Sequence, residues 1–65
     1  MKIGDIIHAV YETGDIFEGP ILDIREIPGK GTILFIHDDN VGYRFLYAHK
    51  CGHIVYRSPE PVSPD

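Results

Sequence analysis

Residues 31–48 read GTILFIHDDNVGYRFLYA, and this stretch decides the fold class. Its first half contains Ile33-Leu34-Phe35-Ile36, a run that is apolar at every position and is typical of a central β-strand. The second half alternates between two faces, which hold Val41, Tyr43, Phe45 and Tyr47 on one side and Gly42, Arg44, Leu46 and Ala48 on the other. Asp38-Asp39-Asn40 separates the halves and is typical of a tight turn. The stretch therefore predicts two neighbouring antiparallel strands.

The flanking sequence divides in the same way into short strands between turns. Further strands are predicted over residues 5–11, 16–27 and 53–57, and the Gly19-Pro20 pair inside the second marks a bend, a bulge or an edge. The chain contains ten Ile and four Val, which pack well on a pleated sheet. We therefore predict an all-β fold, a five-stranded antiparallel meander curled into a small barrel. Phe35 and Phe45 are the aromatic side chains expected in its core.

The domain organisation follows from the length. Sixty-five residues allow one small domain, and such a chain buries only about 60% of its surface on folding. Residues 1–57 are predicted to form the barrel. Residues 58–65 hold three of the five prolines and are predicted to form an extended, flexible tail.

Glycines and apolar residues near the N-terminus resemble the opening of a known barrel class. Gly4-Asp5-x-Ile7 is followed by Thr13-Gly14, Phe17, Gly19 and Leu22-x-Ile24, an order that resembles SH3-like barrels of the KOW and related classes. The segment from Tyr11 to Gly19 is also similar to the N-terminal barrel of KapB-type proteins. This resemblance covers residues 4–27 and implies an SH3-like barrel. For the KOW class it also implies binding to nucleic acid.

Charge and cysteine content restrict the function classes. Six Lys and Arg against ten Asp and Glu give a net charge of −4, which disfavours generic binding to phosphate backbones. The single cysteine excludes a disulfide framework within the chain. The N-terminal residues lack the apolar run of a signal peptide, and no membrane association is expected. We therefore expect a cytoplasmic protein that needs no cofactor.

Tyrosine and arginine residues on the predicted strands suggest a contact surface. These residue types are common anchors at protein interfaces. The candidate partner-binding residues are Tyr43, Arg44, Tyr47, Tyr56, Arg57 and Tyr11. They predict a non-catalytic module that binds another protein, and the acidic balance favours a partner with a basic surface. A nucleic-acid-binding module remains the alternative, since tyrosines also stack on bases, and a homodimer is left open.

His49-x-Cys51-x-His53 is the most metal-like pattern in the sequence. Imidazole and thiolate are good zinc ligands, and alternate residues of a strand share a face. A structural zinc site needs four ligands, however, so a polar turn with a single cysteine is the favoured interpretation. His37-Asp38-Asp39-Asn40 has the same two interpretations, as a cation site or as a turn held by its own side chains.

Overall fold

A computed structural model describes residues 1–59 of the chain. It contains five strands, a single 3₁₀ turn and no α-helix within those residues. The strands are β1 (Ile6–Tyr11), β2 (Ile16–Ile27), β3 (Gly31–Asp38), β4 (Gly42–Tyr47) and β5 (Cys51–Arg57), with the 3₁₀ turn at Ala48–Lys50 between the last two. The predicted all-β class is confirmed. Apart from Ser58 and Pro59, the predicted tail lies outside the described residues.

All five strands form one antiparallel sheet in the order β4-β3-β2-β1-β5. The first four strands are a meander, because each pairs with its sequence neighbour. The last strand departs from the predicted meander, since β5 pairs with β1 rather than with β4. The 3₁₀ turn makes this possible, because it carries the chain away from β4, and its Lys50 carbonyl accepts a hydrogen bond from the Glu12 amide at the end of β1.

The long strand β2 joins the two halves of the sheet. Its first part pairs with β1 up to Pro20, and its second part pairs with β3 from Ile21 onward. The register shifts between Ile21 and Asp23, so the strand bulges and bends there. The bend that Gly19-Pro20 predicts therefore lies at the boundary between the two pairings.

The bend brings the inner sides of both halves together around a small apolar core. Seven hydrophobic side chains are fully buried there: Ile7, Ala9, Phe17, Ile21, Leu34, Ile36 and Leu46. The expectation that Phe35 and Phe45 belong to the core is wrong, because Phe45 is 60% exposed and Phe35 is only partly buried. Phe17 and aliphatic side chains fill the interior instead. Leu34, Ile36 and Leu46 point inward. Because neighbouring residues of a strand lie on opposite sides of the sheet, Phe35 and Phe45 point outward.

Candidate functional site

The pairing of β3 with β4 assembles a surface that we call the aromatic face. Cross-strand partners share a side of the sheet, and the register pairs Ile33 with Tyr47, Phe35 with Phe45 and His37 with Tyr43. The other side of these strands carries the buried core. The aromatic face therefore consists of six residues that project outward: Ile33, Phe35, His37, Tyr43, Phe45 and Tyr47.

Four residues of the aromatic face are exposed, and its rings pack against one another. Tyr43 is 68% exposed and Phe45 60%. The ring of Phe35 lies between them, stacked on Tyr43 with centroids 5.7 Å apart and tilted against Phe45 at 5.1 Å. His37 meets Tyr43 edge-on at 4.9 Å. Because the rings restrict one another, this surface offers a large apolar contact area at a low cost in side-chain entropy.

Two open grooves meet at Ile33, beside the exposed aromatic rings. One has a volume of about 370 Å³ and lies between Asp23 and Arg25 on one side and Phe35 and Phe45 on the other. Its polar wall is an ion pair, in which Arg25 Nε donates to Asp23 Oδ2 at 2.9 Å. This hydrogen bond, and a second from the Ile24 amide, hold the pKa of Asp23 below its usual value.

The second groove, which we call the lysine groove, lies at the Tyr47 end of the aromatic face. It has a volume of about 540 Å³ and is lined by Gly29, Lys30, Ile33, Tyr47, His49 and Lys50. The Lys50 ammonium lies over the Tyr47 ring, 5.1 Å from its centroid, in a cation–π contact. In the described part of the chain no carboxylate is among the lining residues, so the groove is locally basic.

Tyr43 and Tyr47 lie on the aromatic face, whereas two other predicted contact residues hold the fold together. The ring of Tyr11 packs on Phe17 with centroids 4.5 Å apart, and its hydroxyl accepts a hydrogen bond from the Tyr47 amide at 2.8 Å. Arg44 projects to the inner side and places its guanidinium carbon 3.9 Å from the centroid of the Phe17 ring. Their polar ends therefore serve contacts within the chain.

Tyr56 and Arg57, the remaining predicted contact residues, lie on β5. β5 pairs with β1, so neither residue belongs to the β3–β4 pairs that form the aromatic face. Tyr56 is half exposed beside Ile7 of β1. The structure thus divides the predicted patch into three places rather than one.

Sequence reasoning missed Phe45, Phe35, Ile33 and His37 as members of the surface. One signal was present, because alternation along β4 already grouped Phe45 with Tyr43 and Tyr47. A strand that exposes its tyrosines must expose Phe45 with them. The contribution of β3 carried no such signal, since that strand is apolar on both faces.

Of the predicted metal ligands, His49 lies in the 3₁₀ turn, and Cys51 and His53 lie on β5. Within residues 1–59, no group of three or more His, Cys, Asp or Glu side chains is arranged to hold a metal ion. Cys51 packs against the core, and its Sγ lies 3.7 Å from the Tyr47 carbonyl oxygen as a weak hydrogen-bond donor. Burial raises the pKa of this thiol, which favours the protonated form over the thiolate that acts as ligand or nucleophile.

In the segment His37-Asp38-Asp39-Asn40, the Asp38 carboxylate holds a turn through hydrogen bonds to the backbone. Its Oδ1 accepts hydrogen bonds from the amides of Asn40 and Val41, and its Oδ2 accepts one from Glu18. The side chain is 2% exposed and holds the β3–β4 turn against β2. Asp38 is therefore engaged by backbone donors within the chain.

Comparison of the chain with protein-family models, with curated proteins and with solved structures gives no match. Among residues 1–59 there is also no helix with the length and apolar character needed to cross a membrane.

Proposed function

We propose that this protein is a non-catalytic binding module that docks a partner protein on its aromatic face. The observation that carries the proposal is the row Tyr43, Phe45 and Tyr47 on β4, which presents contiguous exposed rings supported by Phe35. Contiguous exposed apolar patches often mark interaction sites, and aromatic anchors dominate their binding energy. The grooves beside the rings are open to water, a setting that suits docking better than catalysis.

We further propose that the sheet is an SH3-like barrel, as the N-terminal resemblance implies. The strand order and the bend in β2 support this architecture. So does the contact between the ends of the two halves, where the Tyr11 hydroxyl reaches the Tyr47 amide. In a crystal or NMR structure we expect β4 and β5 to approach each other as barrel neighbours, and an open gap between them would contradict the proposal.

Affinity capture with a matched pair of surface variants tests the docking proposal. Phe45→Ser removes the central exposed ring, whereas Val55→Ser removes an apolar side chain of similar exposure, 49%, from β5. We expect wild type and Val55→Ser to retain the same partner and Phe45→Ser to lose it, with thermal melts showing that all three fold. Capture of the same protein by Phe45→Ser, or of none by wild type across a range of salt, would overturn the proposal.

Single-stranded nucleic acid is the second candidate for the aromatic face. The rings of Tyr43, Phe45 and Tyr47 follow one another at every second residue, about 6.7 Å apart along the strand, and such rows can stack successive bases. Lys30 and Lys50 lie close enough to contact a backbone that continues past Tyr47. The net charge of −4 opposes this candidate. Fluorescence anisotropy with a labelled oligothymidine at about 50 mM salt decides it, since electrostatic binding is strong at low salt.

A further inference from the structure

The lysine groove is a locally basic place on an acidic chain. The whole chain has ten acidic residues, yet Lys30, His49 and Lys50 line the groove without a carboxylate. Neither lysine lies within ion-pair distance of a carboxylate among residues 1–59, where Arg25 pairs with Asp23 and His8 contacts Glu18. The groove therefore keeps positive charge that no neighbouring side chain of the described chain neutralises.

Two acidic residues of the flanking segments, Glu26 and Glu12, are not among the residues that line this groove. Glu26 pairs with Thr32, so it projects from the side of the sheet opposite to Ile33 and its partner Arg25. Glu12 approaches Lys50 only through its backbone, which donates to the Lys50 carbonyl at 3.1 Å. Its side chain lies toward Gly52 instead, at 3.6 Å from the position that a β-carbon would take there.

The groove is also continuous with the aromatic face. Ile33 and Tyr47 belong to both, so a chain lying across Phe45 and Tyr47 passes directly into the groove. Its volume of about 540 Å³ is within the range of small ligand sites and accommodates a few side chains. The cation–π contact with Tyr47 holds the Lys50 ammonium beside a ring that belongs to both surfaces.

We propose that the lysine groove binds the carboxylates of an acidic segment of the partner protein, while the adjoining apolar residues of that segment lie on the aromatic face. This inference rests on the proposed function and specifies its partner. It differs from what the net charge predicts, because the net charge favours encounter with a basic surface, whereas the charges at the contact favour an acidic one. Long-range charge mainly sets the rate of encounter, and local pairs set the specificity.

A pair of synthetic peptides tests this inference without knowledge of the natural partner. The first alternates tyrosine with glutamate, and the second replaces every glutamate with glutamine. Each is titrated into the ¹⁵N-labelled full chain at low salt, and amide chemical shifts report the affinity and the place of binding. We expect the glutamate peptide to bind more tightly, with the largest shifts at Lys30, His49 and Lys50, and the preference to weaken as salt rises.

Two charge-matched variants separate the groove from the net charge of the molecule. Lys50→Gln removes a groove ammonium, and Lys2→Gln removes one from the exposed N-terminal segment. We expect Lys50→Gln to weaken the glutamate peptide about twofold to fivefold, the range for an exposed ion pair, and to leave the glutamine peptide unchanged. Lys2→Gln leaves both affinities near wild type.

Four results would each overturn the inference. The first two are equal affinities for the two peptides and no binding of either, because in both cases the carboxylates are not recognised. The other two are equal effects of Lys50→Gln and Lys2→Gln, and tighter binding of oligothymidine than of the glutamate peptide with the same dependence on Lys50. The proposed function is judged separately, because loss of the natural partner in Phe45→Ser supports docking whatever the peptides show. The opposite result is that Phe45→Ser retains its partner while Lys50→Gln weakens only the glutamate peptide. In that case carboxylate binding in the lysine groove is supported and docking on the aromatic face is wrong.

Discussion

At the scale of single residues, Gly19 shows how one missing side chain permits the fold. Its φ of 155° lies in a region that other residues rarely adopt, and the carbonyl of His37 packs directly against its α-carbon. A methyl group there would overlap that carbonyl oxygen and lie 2.9 Å from the carbonyl carbon. The sequence indicates a bend at this glycine, but the close approach of β3 is a tertiary contact that local sequence does not contain.

Gly19→Ala is therefore expected to destabilise the protein severely. The substitution combines backbone strain with overlap against the main chain of β3, so we expect a loss of more than about 3 kcal/mol in the free energy of unfolding. Gly14→Ala is the control, because Gly14 also has a positive φ, 98°, but open space around its α-carbon. It should cost only about 1–2 kcal/mol, the strain of a side chain at positive φ. Urea denaturation measures both, and equal losses would contradict the role of the His37 contact.

Asp38 predicts a pH dependence of stability. Burial opposes its ionisation most strongly, but the amides of Asn40, Glu18 and Val41 and the charge of Arg44 together hold its pKa below the usual value. The folded pKa is thus lower than the unfolded one, so the carboxylate stabilises the protein above about pH 4. That contribution is lost as the pH falls through the folded value.

Asp38→Asn tests this assignment. We expect it to lower the free energy of unfolding at pH 7 by about 1–3 kcal/mol, since the amide no longer satisfies all three backbone donors. The variant and wild type should converge in stability as the pH falls below about 4 and through the folded pKa of Asp38. Asp39→Asn, at the exposed neighbouring position, serves as the control. Urea titrations across this pH range measure both, and an unchanged difference between Asp38→Asn and wild type at low pH would contradict the prediction.

At the scale of elements, turn residues predicted where the strands begin and end, but not which strands pair with each other. The bounds of β2 follow from Gly14 before it and Pro28-Gly29 after it, because these residues interrupt strands. The return of β5 to β1 was not predictable in this way. A period-two pattern defines the two faces of a strand, but neither its neighbour nor which face is buried.

A hydroxyl from β1 helps to hold the end of β4. Tyr11 lies on β1 and accepts the Tyr47 amide across the molecule, so it connects the two halves of the sheet. Tyr11→Phe keeps the ring contact with Phe17 but leaves that amide without its acceptor. We expect a loss of about 1 kcal/mol in stability and faster hydrogen exchange at the Tyr47 amide.

Tyr43→Phe is the matched control for this hydroxyl. Among the described residues its hydroxyl makes no hydrogen bond, and the side chain is 68% exposed. The free energy of unfolding should stay within about 0.5 kcal/mol of wild type, with unchanged exchange at Tyr47. If Tyr11→Phe behaves in the same way, the hydroxyl does not connect the sheet halves.

At the scale of the whole molecule, a small core leaves the aromatic residues for the surface. The interior of a 65-residue chain is limited, and seven buried side chains fill it. The sequence contains more apolar residues than this core can bury. Of the three phenylalanines, Phe17 is the one that is fully buried. Composition predicted the class of fold but could not determine which rings stayed outside, because both faces of β3 are apolar.

Adjacent residues of β4 test that division between core and surface directly. Leu46 is fully buried, so Leu46→Ala leaves a cavity and should cost about 2–5 kcal/mol, a large share of the stability of so small a domain. Phe45→Ala removes a larger side chain that is 60% exposed and contacts mainly Phe35, and we expect it to cost less than about 1 kcal/mol. Thermal and urea denaturation of the two variants measure the difference. Side-chain size alone predicts the opposite order, because phenylalanine is larger than leucine. A greater loss of stability for Phe45→Ala would therefore show that Phe45 is buried, and the aromatic face would lose its central exposed ring.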